Sequence, residues 1–194
     1  MDGIFAYLAE HFDLPILAWI AEHLRSAFGD AVMPVITLLG DAGIFWIAIA
    51  VIMLLLPKYR KIGFAMGAAL ILGLLICNVT MKPLFARIRP YDYLAKQGTV
   101  IDLLIAAQHD FSFPSGHTLA SFEAATVLTI HNRKLGIPAM ILACLIAFSR
   151  LYLYVHYPTD VLFSVVLGIG IAFLGNFLVQ KGYGLYEKKK LSVK

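Results

Sequence analysis

Three groups of residues in this sequence have types and spacings suited to one kind of chemistry. Lys82, Arg89 and Pro90 stand where an apolar run ends; Pro114-Ser115-Gly116-His117 precedes a second run; Ser149-Arg150, His156 and Asp160 lie between two more. Together they supply three fixed cations, two histidines, a carboxylate and a turn entering a helix. A phosphoryl group in transfer spreads negative charge over three equatorial oxygens. Lys82, Arg89 and Arg150 match those oxygens in charge, and the arginines can do so bidentately. Ser115 is an N-cap type, Gly116 lets the backbone approach a ligand closely, and free N–H groups at a helix start bind anions. Imidazole titrates near neutrality, so one histidine can attack phosphorus while the other protonates the leaving oxygen. Asp160 follows His156 by one helical turn, a spacing that lets it hold one ring nitrogen and leave the other free.

The elements that must position these groups are membrane helices. Of the 194 residues, 60% are apolar and 14% charged, against roughly 45–50% and about 25% in an average soluble domain. The mean hydropathy is +0.81. These values exclude a disordered chain and argue against an ordinary soluble enzyme. A helix crosses the hydrocarbon core with about 20 residues. Five runs qualify: 42–57, 62–81, 115–130, 135–149 and 161–179. None alternates with period 2, so helices rather than a barrel are expected. Leu14 to Leu24 reads as an amphipathic interfacial helix. Ala31 to Leu39, with Pro34, is either a re-entrant piece or a partial sixth span. No basic leader with a cleavage site is read at the N-terminus.

Ten of the 16 basic residues fall in the 58–61 and 133–134 connections and after residue 180. By the positive-inside rule these regions are cytoplasmic. The loop from Lys82 to Pro114 and the turn from Arg150 to Asp160 then face outward, so all three chemical groups share one membrane face. The net charge of +4 is no nucleic-acid signature, and no nucleic-acid partner is expected.

Lys-x6-Arg-Pro, Pro-Ser-Gly-His and Ser-Arg-x5-His-x3-Asp resemble, in order and at the right internal spacing, the three signatures of the type 2 phosphatidic acid phosphatase family. The resemblance spans roughly residues 30 to 180. It implies a metal-independent lipid phosphatase with no cofactor. Lys82, Arg89 and Arg150 bind phosphate, with Ser115 and the Gly116 backbone adding hydrogen bonds. His156 is the nucleophile that becomes a phosphohistidine, Asp160 orients it, and His117 is the general acid and then the base. The family also has a vanadium haloperoxidase branch of soluble proteins, and the spans argue against that branch. Undecaprenyl diphosphate is the first candidate substrate, phosphatidylglycerol phosphate or phosphatidic acid the second. Readings of another class are a lipid or ion transporter and a non-catalytic scaffold.

Other residues have plainer expectations. Arg87 and Lys96 are read as headgroup contacts, and Asp102 and Asp110 as solvated or capping. His131 receives no catalytic role. Tyr91, Tyr93, Tyr152, Tyr154 and Tyr157 form an interfacial aromatic belt. Cys77 and Cys144 are free apolar fillers. Gly63, Gly67, Gly73, Gly168 and Gly170 allow close helix packing. Glu123, about 12 Å below Ser115 at 1.5 Å per residue, packs with Asn78 or Thr80 or supports Lys82 and the histidines from behind. No metal-ligand cluster stands out. The sequence therefore specifies an all-α polytopic membrane bundle of about five to six transmembrane helices in the cell membrane. Residues 1–40 form an interfacial segment, 41–181 the catalytic domain and 182–194 a basic cytoplasmic tail. The active site opens extracytoplasmically onto a membrane lipid phosphate.

Overall fold

The computed structural model describes residues 3–192, and among these every regular element is helical. The first helix, α1, covers Ile4–His23 with a π-helical turn at Ala9–Asp13. Ala27–Leu38 forms α2 and Ile44–Leu55 forms α3. The long α4 runs Arg60–Gly73, winds on as a π-helix over Leu74–Met81 and closes with Lys82–Phe85. After it come α5 (Pro90–Lys96), α6 (Gly116–His131), α7 (Arg133–Tyr152) and α8 (Pro158–Ser192).

The centre of the bundle is α6. Residues 118, 119 and 121–128 are all buried, so this helix is enclosed on every side, as expected of a core helix that is not amphipathic. It packs against α4, α7 and α8. The surrounding helices turn large apolar side chains outward: Val51 and Leu55 on α3, Ile71 and Leu74 on α4, Ile137 and Ile141 on α7, Val166 and Phe177 on α8. An apolar exterior over an equally apolar interior suits lipid, and the chain is a multi-pass membrane protein. Four helices are long and apolar enough to cross, and a fifth span forms if the pair Ala27–Leu38 and Asp41–Leu55, bent by 41°, is taken as one. Residues 31 to 39, read as a re-entrant piece or a partial span, lie mostly in the first arm of that bent pair, which has the geometry of a broken span or of a re-entrant loop.

Close approach depends on small residues, as membrane packing requires. A Cβ at Gly63 would sit 2.7 Å from the Leu54 backbone nitrogen, one at Gly168 2.9 Å from the Leu119 carbonyl oxygen, and one at Gly175 2.9 Å from the Ala69 nitrogen. Gly67 and Gly170, expected to serve the same purpose, face open space.

At one end of the bundle lie the start of α3, the end of α4, the start of α6, the end of α7 and the start of α8. The connections at 56–60 and 132, and the last turns of α8, lie at the other. Residues 182–192, which belong to the stretch read as a basic tail, continue α8 as helix. The helix α1 begins ten residues before the expected Leu14. It lies against the site-bearing end: Ala9 and Leu17 pack with Tyr154 and Tyr157, and Ile20 with Tyr152 and Leu153.

Candidate active site

The turn between α7 and α8 brings the third motif onto itself. The backbone N–H groups of Val155 and His156 both donate to the Arg150 carbonyl, at 3.2 and 3.4 Å. This closes a loop in which Tyr154 takes a left-handed φ of 61°. His156 is buried, with Nδ1 facing Ser112 Oγ at 3.4 Å and Asp160 Oδ2 at 3.5 Å. Ser112 Oγ donates to the same carboxylate oxygen at 2.5 Å. The orienting link therefore has a hydroxyl in it, able to accept from Nδ1–H while donating to Asp160. The other nitrogen, Nε2, lies 3.3 Å from an Arg89 guanidinium nitrogen. Burial of the ring, together with the Arg89, Arg150 and Lys82 charges, holds His156 well below the ordinary histidine range, which keeps its attacking lone pair available.

Arg89 is fixed by donating to the Val155 carbonyl at 2.6 Å, to the Asp110 carbonyl at 3.0 Å and to Asp110 Oδ1 at 2.5 Å. Lys82, in the last turn of α4, pairs with the other Asp110 oxygen. One carboxylate thus bridges two of the three expected phosphate cations. Burial opposes its charge, but the hydrogen bonds and charges of Lys82 and Arg89 prevail and hold the Asp110 carboxyl at about 2. Asp110 was expected to be solvated or capping; its side chain is about half exposed and also pairs with both cations.

Arg150 is 1% exposed. One terminal nitrogen donates to Thr37 Oγ1 at 2.6 Å, while Nε and the other terminal nitrogen have no partner among the described residues. A buried guanidinium with two idle donors is costly unless an anion comes to it. Ser115 occupies the N-cap position of α6, but its hydroxyl pairs with Thr118 Oγ1 at 3.0 Å rather than with a backbone N–H. Its own N–H donates to Ser164 Oγ at 2.8 Å. His117, next but one, directs Nε2 to Asp41 Oδ1 at 2.7 Å.

Lys82, Arg89, Ser115, Gly116, His117, Arg150, His156 and Asp160 are therefore gathered at one end of the bundle. Beside them opens a cavity of about 500 Å³ between α3, α4 and α6. Lys82, Asp110, Gly116 and His117 line its polar end; Ile47, Val51, Leu70 and Leu119 line its apolar length. Glu123 is on this wall, its Oε1 without a partner among the described residues and packed against Gly73, where an added Cβ would collide with that oxygen. It makes no hydrogen bond with Lys82 or either histidine among the described residues. Of the two expected partners, Asn78 lines the same cavity, and the Thr80 hydroxyl donates to the Leu75 carbonyl at 2.9 Å.

Arg87 was read as a headgroup contact and is instead fully buried. It donates to Asp160 Oδ1 at 2.5 Å, to Asp13 Oδ2 at 2.6 Å and to Thr159 Oγ1 at 2.8 Å, over the Tyr157 ring at 3.8 Å. Two carboxylates make its burial possible. The tyrosines likewise do not form a belt. Tyr91, Tyr152, Tyr154 and Tyr157 are buried, and Tyr91 donates to the Gln108 carbonyl at 2.8 Å while Tyr152 donates to Asp30 at 2.8 Å. Lys96 and Asp102 are exposed. His131 pairs with Asn176 at 2.8 Å, far from the site. Asp13, Thr37, Asp41, Arg87, Asp110 and Ser112 are the residues that sequence reasoning missed. Ser112 and Asp110 adjoin the second motif and Arg87 lies inside the first, so proximity was the available signal; Asp13, Thr37 and Asp41 carried none.

Residues 58–182 match the PAP2 superfamily. The chain belongs to that family. It is 32% identical to an undecaprenyl-diphosphatase of Sulfolobus acidocaldarius over 130 residues, 66% of this chain and 61% of that protein. With undecaprenyl-diphosphatase BcrC of Bacillus subtilis it shares 36% over 107 residues, 55% of this chain and 50% of that one. The chain thus aligns with about half to three fifths of those curated relatives' length. The crystal structure of a transmembrane PAP2 type phosphatidylglycerolphosphate phosphatase from Bacillus subtilis superposes with a TM-score of 0.68 at 27% identity, covering 91% of this chain and 92% of that one.

Proposed function

We propose that this PAP2 superfamily protein is a lipid phosphatase working through a phosphohistidine, with undecaprenyl diphosphate as its foremost substrate. The observation that carries the reading is Arg150, buried with two donors that have no partner among the described residues, beside a mostly apolar cavity whose polar end is lined by Lys82 and His117. Such a group asks for an oxyanion, and Lys82, Arg89 and the N-terminus of α6 supply the rest of a phosphate cradle. The apolar cleft suits the chain of the same molecule.

In this reading the phosphate displaces the Asp110 carboxylate from Lys82 and Arg89. His156 Nε2 attacks phosphorus in line, the N–P bond forming as the P–O bond to the leaving group breaks. Asp160, with Ser112, keeps the Nδ1 proton in place and stabilises the imidazolium character that develops. His117 protonates the leaving oxygen. Water then attacks phosphorus, giving its proton to His117, and His156 is released. Every step uses side chains of this chain, and no cofactor is called on.

The orientation follows from charge: the connections rich in Lys and Arg are cytoplasmic by the positive-inside rule, which puts the C-terminus inside and the site on the outer face. The relatives named as undecaprenyl-diphosphatases support the diphosphate substrate. The structural likeness to a phosphatidylglycerolphosphate phosphatase supports that lipid as a second substrate.

The test is phosphate release in detergent with EDTA present, from undecaprenyl diphosphate, phosphatidylglycerol phosphate and phosphatidic acid. The wild type is expected to release phosphate from the first fastest, and His156→Ala to release none. A strict metal requirement, or full activity in His156→Ala, overturns the mechanism; absence of release from all three favours the transporter reading.

A further inference from the structure

His117 is held by a residue that none of the three motifs contains. Asp41 lies in the short turn Asp41–Gly43 joining α2 to α3, where the helix pair bends by 41°. Ala42 and Gly43 take left-handed φ values of 48° and 66°. A non-glycine residue in that region is strained, and such strain persists where the surroundings over-determine it. The turn brings Asp41 Oδ1 to 2.7 Å from His117 Nε2.

Gly40 completes the arrangement. A Cβ there would lie 2.7 Å from His117 Cδ2 and 2.9 Å from Ile146 Cγ2, so the backbone of residue 40 rests on the Cδ2 edge of the imidazole and no larger residue fits. A bend, a strained residue, a glycine contact and a charge-assisted hydrogen bond converge on one ring. With Cδ2 covered and Nε2 engaged, the Nδ1 side remains, and Nδ1 makes no hydrogen bond among the described residues. His117 lines the cavity. Gly40, Asp41, Ala42 and Gly43 lie outside residues 58–182, the stretch matched to the superfamily.

We propose that Asp41 is the positioning residue of the leaving-group acid, accepting the Nε2 proton of His117 so that Nδ1 is the nitrogen that exchanges protons with substrate and water. In the first half-reaction the leaving P–O bond breaks as the His156 N–P bond forms, and the Nδ1 proton passes to the leaving oxygen. His117 becomes neutral, keeping Nε2–H, and Asp41 remains a carboxylate. In the second half-reaction water attacks phosphorus, its proton goes to Nδ1 and the N–P bond breaks. The charged groups facing His117 from the other elements are Lys82 on α4, Arg150 on α7, Asp110 in the outer loop and His156 in the α7–α8 turn. Three of these are cationic or can become so, and they oppose a protonated His117; Asp41 offsets them. The site then contains two imidazole–carboxylate pairs of opposite duty, His156 with Asp160 for attack and His117 with Asp41 for proton exchange.

The inference rests on the reading of His117 as leaving-group acid, and its test separates the two. An acid matters when the leaving group is an alkoxide and hardly matters when it is p-nitrophenolate, and kcat/KM reports only on the first half-reaction. For Asp41→Asn, kcat/KM is expected to fall ~10²-fold on phosphatidic acid, the scale of general acid catalysis, and by less than ~3-fold on p-nitrophenyl phosphate, with rates referred to monodisperse folded protein. In a His117→Ala background, Asp41→Asn is expected to add no further loss on either substrate. Equal losses on both substrates, no loss on either, or a further loss in the His117→Ala background overturns the role given to Asp41. If His117→Ala itself shows no leaving-group dependence, the reading of His117 fails first.

Discussion

Arg150, Asp110 and His156 each carry a charge state that makes a distinct prediction. Arg150 is buried with two donors unpaired, so replacing it with an apolar side chain of similar length removes a desolvated charge. Arg150→Met is expected to unfold at a temperature no lower than the wild type in phosphate-free buffer, and to lose the rise in Tm that inorganic phosphate gives the wild type; activity falls by at least ~10²-fold, the cost of losing one oxyanion donor. A preserved phosphate-dependent Tm shift would count against the cradle. Asp110 pairs with Lys82 and Arg89, the cations that the proposed mechanism assigns to phosphate, so Asp110→Asn is expected to lower the inhibition constant for inorganic phosphate. Its carboxyl is held at about 2, below the unfolded value of about 3.9. Its contribution to stability is therefore complete above that unfolded value and disappears as pH falls toward 2, which the wild type but not the variant should show in acid unfolding. His156 is displaced downward by burial and its three cationic neighbours. In the proposed mechanism the neutral ring attacks, so the acid limb of kcat/KM is expected below the ordinary histidine value of about 6.5. Stability has the same sign: a histidine held low is fully stabilising above about 6.5 and loses that contribution as the unfolded chain takes up its proton. That the eight motif residues belong together could be read from the sequence because each motif holds its members close along the chain at the ends of apolar runs. Their carboxylate partners could not. Asp13 lies 74 positions from Arg87 and Asp41 lies 76 from His117, and nothing in local periodicity links residues that far apart.

At the scale of elements, α1 is tied to the catalytic turn through Asp13. Its Oδ1 accepts the Thr159 N–H at 2.9 Å and its Oδ2 pairs with Arg87, both side chains fully buried. Asp13→Ala leaves Arg87 with only Asp160 to neutralise it and is expected to cost about 3–5 kcal/mol, as for one partner lost from a buried pair. Faster hydrogen exchange across 4–23 and a lower Tm would show it; unchanged exchange would mean that α1 is held by its apolar contacts alone. The core spans were readable from run length and lack of charge. The ends of α1 and α8 were not, because Glu10, His11 and Asp13 interrupt a helix that continues regardless, and the lysines at 188–190 prolong one that has already left the apolar run. Arg87 defeated the headgroup reading for a related reason: burial of a charge depends on carboxylates from two other elements, which only the folded arrangement brings in.

At the scale of the whole molecule, the sequence division of charge and the helix order agree on two unlike ends, one basic and one catalytic. The membrane face of each is a proposal with a direct check. In a background with Cys77 and Cys144 replaced, Gly98→Cys is expected to react with an impermeant maleimide added to intact cells and Lys134→Cys to react only after permeabilisation; the reverse pattern would place the site inside. The apolar cleft, the cation cradle and the two imidazole–carboxylate pairs all serve one central claim, that phosphate passes through His156. Rapid alkaline quenching of the protein with substrate labelled in the terminal phosphate tests it most directly. The account predicts an acid-labile, base-stable label on His156, absent from His156→Ala and chased by unlabelled substrate. Phosphate release at full rate with no label on the protein, or label on another residue, would contradict it.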